Sequence, residues 1–233
     1  MNHNRWPRIL ALVTFCLAST AAFAQAPESP DSLVLVKPRL MEMAWLLPGA
    51  DFRPYTKVII SRTQVAFRQN WLKDYNESTR MGMGGQISQE QANQIMAAAQ
   101  TNFDDVFADA FKKAGYDVVT TAGPDVLRVN SAILDLDVNV PPGMNVGQTT
   151  WIITAGDAAL IVEVRDTVTN ALLGRVADRR ATQNLGRQLA SKATIVYDFR
   201  LLFDHWAGVC IRAVNYLKTV SPVPKTLKPN QRL

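Results

Sequence analysis

Cysteine and histidine are almost missing: two of each in 233 residues. Zinc sites are built from Cys and His at close spacing, and Cys210 and His205, five apart, do not make one. A Ser-His-Asp or Cys-His relay needs an imidazole held between partners. His205 has Asp204 beside it, but consecutive residues do not face each other on a helix. No G-x-S-x-G elbow occurs. The Gly-rich stretch Met81-Gly82-Met83-Gly84-Gly85 is followed by Gln86, where a phosphate loop needs Lys and then Ser or Thr. It reads as a flexible connection or a mobile binding loop. These absences predict no catalytic residue, no metal ligand and no cofactor.

Long apolar runs are also missing. The longest near the start, Ile9 to Leu17, falls short of the about 20 residues that span a bilayer. It has the build of an export signal instead. Arg5 and Arg8 form a basic lead, the apolar run follows, and Ala22-Phe23-Ala24 is an A-x-A cleavage site. Cleavage after Ala24 would leave Gln25 as the new N-terminus, with residues 1–24 removed. Cys16 follows Phe15 inside the apolar run, so it reads as signal-peptide filler; lipidation is the alternative. Removing Arg5 and Arg8 lowers the formal charge from +5 to +3. A small charge and an exported location both exclude nucleic acid as the expected partner. Cys210 alone then remains, so no internal disulfide forms and packing supplies the stability.

At 48% hydrophobic and 19% charged, the chain can bury a core. Residues 25–32 are a polar lead-in, 33–218 a single domain, and 219–233 a basic, Pro-containing tail expected to be solvated. Leu33 to Val36 precedes Pro38 and reads as an edge strand. Met41 to Leu47 is ambiguous. Short strands are expected at 57–61 and 63–68, then a polar loop over 73–87. Ser88 and Gln91 fit a capping box. They open a helix whose apolar stripe includes Ala92, Ile95, Ala99, Phe103, Phe107 and Phe111, closed by Gly115. A strand follows at 116–120. Val126 to Val140 is a long strand whose apolar parity switches at Ile133–Leu134, which predicts a β-bulge. Strands at 149–154, 158–165 and 172–179 follow, with a turn at 166–170 in which Asn170 can take a left-handed conformation. A last helix over 192–217 carries Phe199, Leu202, Phe203, Trp206 and Cys210 on one stripe. The fold class is α+β: a two-layer domain, its mixed and largely antiparallel sheet packed by two long amphipathic helices.

Several runs carry a family likeness. They are Leu47-Pro48-Gly49-Ala50-Asp51-Phe52, Tyr55-Thr56-Lys57-Val58, Val65-Ala66-Phe67 with Asn70-Trp71, and Ala114-Gly115-Tyr116. Further along come Ala155-Gly156-Asp157-Ala158, then Val162 to Thr169, Asp178-Arg179-Arg180, Phe199 to Asp204 and Trp206-Ala207. Over roughly residues 40–217 the chain resembles a bacterial lipoprotein family catalogued as domain of unknown function 3313. The resemblance implies one envelope domain of strands and helices and supplies no catalytic residues. The chain departs from the family in lacking a good lipidation cysteine and in having Asn170 where Gly is expected.

Three groupings remain as candidate chemistry. Asp135, Asp137 and Asn139 could offer oxygen ligands to calcium from one strand face, but the twelve-residue calcium-loop pattern is missing. Asp157, Glu163 and Asp178 could pair as the carboxylates of an envelope hydrolase. Such a pair would have to converge to about 5–9 Å in a cleft. Arg165, Arg175, Arg179 and Arg180 share the same hairpin and read as cross-strand ion pairs on a sheet face. The expected function is a non-catalytic binding or assembly module of the envelope. It would act through a sheet edge, the Gly-rich loop or the arginine-bearing hairpin, and the hydrolase is the alternative. The candidate partner surface is Arg165, Asp166, Arg179 and Trp71, for the last of which core packing is the favoured reading. The expected partner is an envelope protein or a cell-wall component, with membrane association open and no transmembrane helix after cleavage.

Overall fold

The structure is a computed structural model, and it describes residues 31–80, 85–140, 151–152, 154–182, 188–189 and 191–233. The export signal, most of the polar lead-in and the run Met81 to Gly84 lie outside the described residues. Among the described residues the architecture is mixed α/β: an eight-stranded, mostly antiparallel sheet and three helices.

The backbone of the sheet is the long strand β6 (Val126–Val138) with the hairpin β8 (Gly156–Asp166) and β9 (Leu172–Ala181). β6 pairs antiparallel with β8, and β8 with β9. Outward from β9 come β2 (Met43–Leu46) and the edge strand β1 (Val34–Val36), both antiparallel. The other flank of β6 is parallel and shared: β3 (Lys57–Ile60) takes its first half and β4 (Gln64–Phe67) its second. β5 (Asp117–Val118) closes that side against β3. A separate pair joins β7 (Trp151–Ile152) to β10 (Gln188–Leu189).

The parity switch in β6 is a bulge, and both neighbours record it. Between Leu134 and Asp137 the strand advances three residues while β8 advances two, from Ala159 to Asp157. Against β4, Val65 faces Ile133 and Phe67 faces Leu136. The extra residue sits one position later than parity predicts. Asp135 takes a left-handed φ of 50°, and Leu136 and Val138 regain the buried side held by Leu127, Val129 and Ile133.

The helices are α1 (Trp71–Arg80), α2 (Gln89–Lys113) and α3 (Lys192–Val220). The Ser88 hydroxyl accepts from the Gln91 amide and the Gln91 side chain accepts from the Ser88 amide, so the expected capping box forms. Gly115 takes φ 88° just past the end. Trp206 and Phe203 of α3 and Phe103, Phe107 and Phe111 of α2 are buried in one cluster with the β6 side chains. α1 corrects the expected loop over 73–87. Its sequence offers only Trp71, Leu72 and Tyr75 as apolar contacts, too short a stripe to signal a helix. Stacking holds it: Trp71 lies on Phe67 at 4.1 Å between ring centres and against Tyr75 at 6.0 Å.

The tail is a second correction. Val223 and Leu227 are buried at 1% and 7% exposure. Val223 exchanges backbone hydrogen bonds with Gly49 and Ala50, and Asn230 donates to the Leu35 carbonyl. Apolar side chains at 223 and 227 between the prolines give this basic segment something to bury. Among the described residues, no helix is long and apolar enough to cross a membrane.

Candidate functional site

Alternation along the central strands gives the sheet two unlike faces. Ala158, Leu160 and Val162 of β8 are buried, as are Leu127, Val129 and Ile133 of β6. The intervening residues point the other way and are only half-buried: Asp157, Ala159, Ile161 and Glu163 on β8, Ala132 and Leu134 on β6, Arg175 and Ala177 on β9. Register lines them into rows. Met43, Ala177, Ile161 and Ala132 form one row of small or apolar side chains across four strands. Met43, at its end, is 45% exposed. Beside it runs a charged row, Trp45, Arg175, Glu163 and Asn130.

Carboxylates hold the hairpin arginines in place, across strands for Arg175 and Arg179 as expected, but along a single strand for Arg165 and Arg180. Arg175 donates to Glu163 at 2.6 and 2.9 Å and to Asp31 at 2.7 Å. Arg165 donates to the second Glu163 oxygen at 2.9 Å. Arg179 bridges Asp157 at 2.7 Å and the bulge residue Asp135 at 3.1 Å. Partial burial opposes ionisation of Glu163, but its bonds to Arg175 and Arg165 win and hold its carboxyl below the usual range. The result is an apolar strip bordered by fixed, mostly paired guanidinium groups.

Asp166 does different work from the arginines. One of its oxygens accepts from the Val168 and Thr169 amides and the Thr169 hydroxyl, and the other from the Tyr55 hydroxyl at 2.8 Å. Partial burial opposes ionisation, but the Thr169 amide and Tyr55 hydroxyl lead the bonds that lower its pKa. Asp166 therefore builds the β8–β9 turn, which Asn170 completes at φ 58°. Trp71 must be removed from the surface. It is 3% exposed, stacked on Phe67, and its indole N–H donates to the Val138 carbonyl at 3.3 Å.

The three carboxylates of the hydrolase reading do not converge. Asp157 and Glu163 stand six residues apart on one strand, about 20 Å, each paired with arginine. Asp178 faces the opposite way, where it accepts from the Trp206 indole at 2.8 Å and Arg180 at 2.5 Å. Sequence reasoning missed this Asp178–Trp206 contact, although both residues lie in runs that carry the family likeness; their spacing gives no local signal. The bulge also separates Asp135 from Asp137, which turns to Arg68 at 2.9 Å. Among the described residues, no group of three His, Cys, Asp or Glu is placed to hold a metal. His205 is exposed on α3, and partial burial and Arg180 keep its imidazole below the usual pKa. Cys210 is buried, and desolvation pushes its thiol to about 12.

The solved structures to which the chain is similar are distant in sequence and only weakly superposable. One is the PelC dodecamer from Paraburkholderia phytofirmans: 9% identity, 70% of this chain and 94% of that chain covered, TM-score 0.34. Another is a Xanthomonas campestris protein of the DUF330 family: 9% identity, 78% and 95% covered, TM-score 0.35. A third is a Helicobacter pylori homolog of the neuraminyllactose-binding hemagglutinin: 7% identity, 75% and 92% covered, TM-score 0.36. No curated protein matches the chain significantly. The family model described as a protein of unknown function, DUF3313, matches residues 36–209, most of the chain, and the protein therefore belongs to the DUF3313 family.

Proposed function

We propose that this protein is an exported bacterial envelope component with a non-catalytic role, binding or assembling with an envelope protein or a cell-wall component through the open face of its sheet. In this reading the domain has two layers, with α2 and α3 covering one sheet face and leaving the other for a partner. One observation carries it. The apolar row Met43, Ala177, Ile161 and Ala132 stays partly exposed, while the carboxylates beside it are tied to arginines. An apolar strip with a polar border is how binding surfaces are built. Pairing Glu163 and Asp157 with arginines also removes the free carboxylates that glycoside hydrolysis needs. Export rests on the Arg5–Ala24 signal, with Gln25 as the mature N-terminus and Cys16 discarded.

A photo-crosslinking residue at Met43 tests the surface, with one at Lys113 on the exposed end of α2 as control. Irradiation of cells should yield a defined envelope adduct from position 43 and none from 113. Arg165→Glu with Arg179→Glu should remove the adduct. Equal adducts from both positions, or an adduct indifferent to the arginine changes, would overturn the proposal. Mass spectrometry of the purified protein should show a chain starting at Gln25; intact Met1 would overturn the export half.

A further inference from the structure

α2 and α3 meet through the Phe103, Phe107 and Phe203 rings, stacked or edge-on at 4.0 to 5.2 Å. Towards their N-termini the helices leave a space. A cavity of about 320 Å³ opens there between the helices and the end of β6. Its walls are Ile95 and Ala99 of α2, Leu136 and Val138 of β6, and Ile195 and Phe199 of α3. Small side chains keep it open: α2 presents Ala98 and Ala99 where a leucine would reach across. Val196 lies at the cavity with 38% exposure, an apolar branched side chain left partly in water.

Water is a poor occupant. At about 30 Å³ each, roughly ten waters would fit, and a buried water needs about three hydrogen-bond partners. Among the described wall residues four, Gln91, Gln94, Asn102 and Lys192, are polar, too few to satisfy that many waters. An apolar ligand entering a poorly hydrated, preformed pocket meets little opposition from solvent. Among the described wall residues the one charge is that of Lys192, with Glu90 outside the wall in the first turn of α2. Lys192 is the first residue of α3 and has no ion-pair partner among the described residues. The first turn of α3 contains no acid, whereas α2 has Glu90 there. The positive end of the α3 dipole and the Lys192 ammonium therefore lie together at an apolar opening.

We propose that this cavity holds the acyl chain of a single-chain anionic amphiphile, with the headgroup at Lys192. A chain of about ten carbons matches about ten water-sized volumes. The site is independent of the open sheet face.

The test is displacement of a dansyl-labelled undecanoic acid from the purified full chain by fatty acids of eight to sixteen carbons. Affinity should rise about fourfold for each added methylene, then level off once the cavity is full. Ala99→Leu should weaken binding at least tenfold by filling the space. Ala98→Leu is the second variant should the first fail to fold, as judged by circular dichroism. Lys192→Glu, an exposed change, should weaken fatty-acid binding at least fivefold and leave the matching fatty alcohol unchanged. Lysophosphatidylglycerol set against free fatty acid tells a lipid source from a free acid. The proposal is overturned by a lack of saturable binding, by affinity without chain-length dependence, or by folded Ala98 and Ala99 variants that bind as well as the parent. The same outcomes leave the sheet-face reading untouched, since Met43 and the hairpin arginines lie elsewhere.

Discussion

At the scale of single residues, Gly156 is the most tightly enclosed of the described glycines. Its φ is 145°, and a Cβ there would lie 1.9 Å from the Asp137 carbonyl oxygen and 3.1 Å from the Phe199 ring. Both are fixed neighbours, one a backbone atom of the adjacent strand and one a core ring. Gly156→Ala must therefore push β6 from β8, so a loss of about 3 kcal/mol or more is expected. A urea titration followed by circular dichroism measures it. A variant with the parent midpoint would show that the strands yield at no cost. Gly156 lies within a run that carries the family likeness, and its role there is close packing of backbones. Asp178 is similar in kind: it ties β9 to α3 through Trp206, and a buried carboxylate without those donors would be costly.

At the scale of elements, the β8–β9 hairpin is held by ionised carboxylates, and this fixes its response to acid. Glu163 and Asp166 both have folded pKa values below their ordinary values of 4.5 and 3.8. The unfolded chain then binds more protons near those values, so stability falls as pH falls. The contribution is fully present above about pH 5 and is lost on acidification through the depressed folded values. Urea midpoints should stay flat from pH 7 to about 5 and drop below about 4.5. Glu163→Gln should flatten part of that drop. An unchanged pH profile in Glu163→Gln would show that the pairs of Glu163 with Arg165 and Arg175 contribute nothing to the fold.

Elements also show what the sequence made legible. The capping box at Ser88, the end at Gly115, the turn at Asn170 and the bulge in β6 are local: each is set by a few neighbouring side chains or by parity. The shift of the bulge to Asp135 came from tertiary fit, because Leu134 keeps its regular partner Ala159. α1 was hidden because Phe67 supplies the packing surface that its own polar sequence lacks. The open face was half legible. The arginines and carboxylates of the hairpin announce ion pairs, and core packing is the favoured role of Trp71, but nothing local places Met43 in register with Ala177.

At the scale of the whole molecule, the C-terminal segment is part of the folded body. Truncation after Ser221 would uncover the Gly49–Ala50 backbone and the edge of β1 and remove Val223 and Leu227 from the core. Burying side chains of that size contributes about 1.5–3 kcal/mol each, so a melting temperature lower by several degrees is expected. Differential scanning calorimetry of the truncated chain checks this, and a melting temperature equal to that of the full chain would return the segment to the status of a loose end.

That same segment has a consequence for how the protein can associate. β1 is the outermost strand, and Gln231 bridges to Val36 while Asn230 and Lys37 complete the hydrogen bonding. The opposite border ends in β5, two residues long and carrying an exposed Asp117. Short, charged or covered borders are the means by which sheets resist being lengthened by a neighbour's strand. Lateral strand-to-strand growth from β1 and from β5 is therefore disfavoured, which turns association at these two borders toward broad surfaces instead.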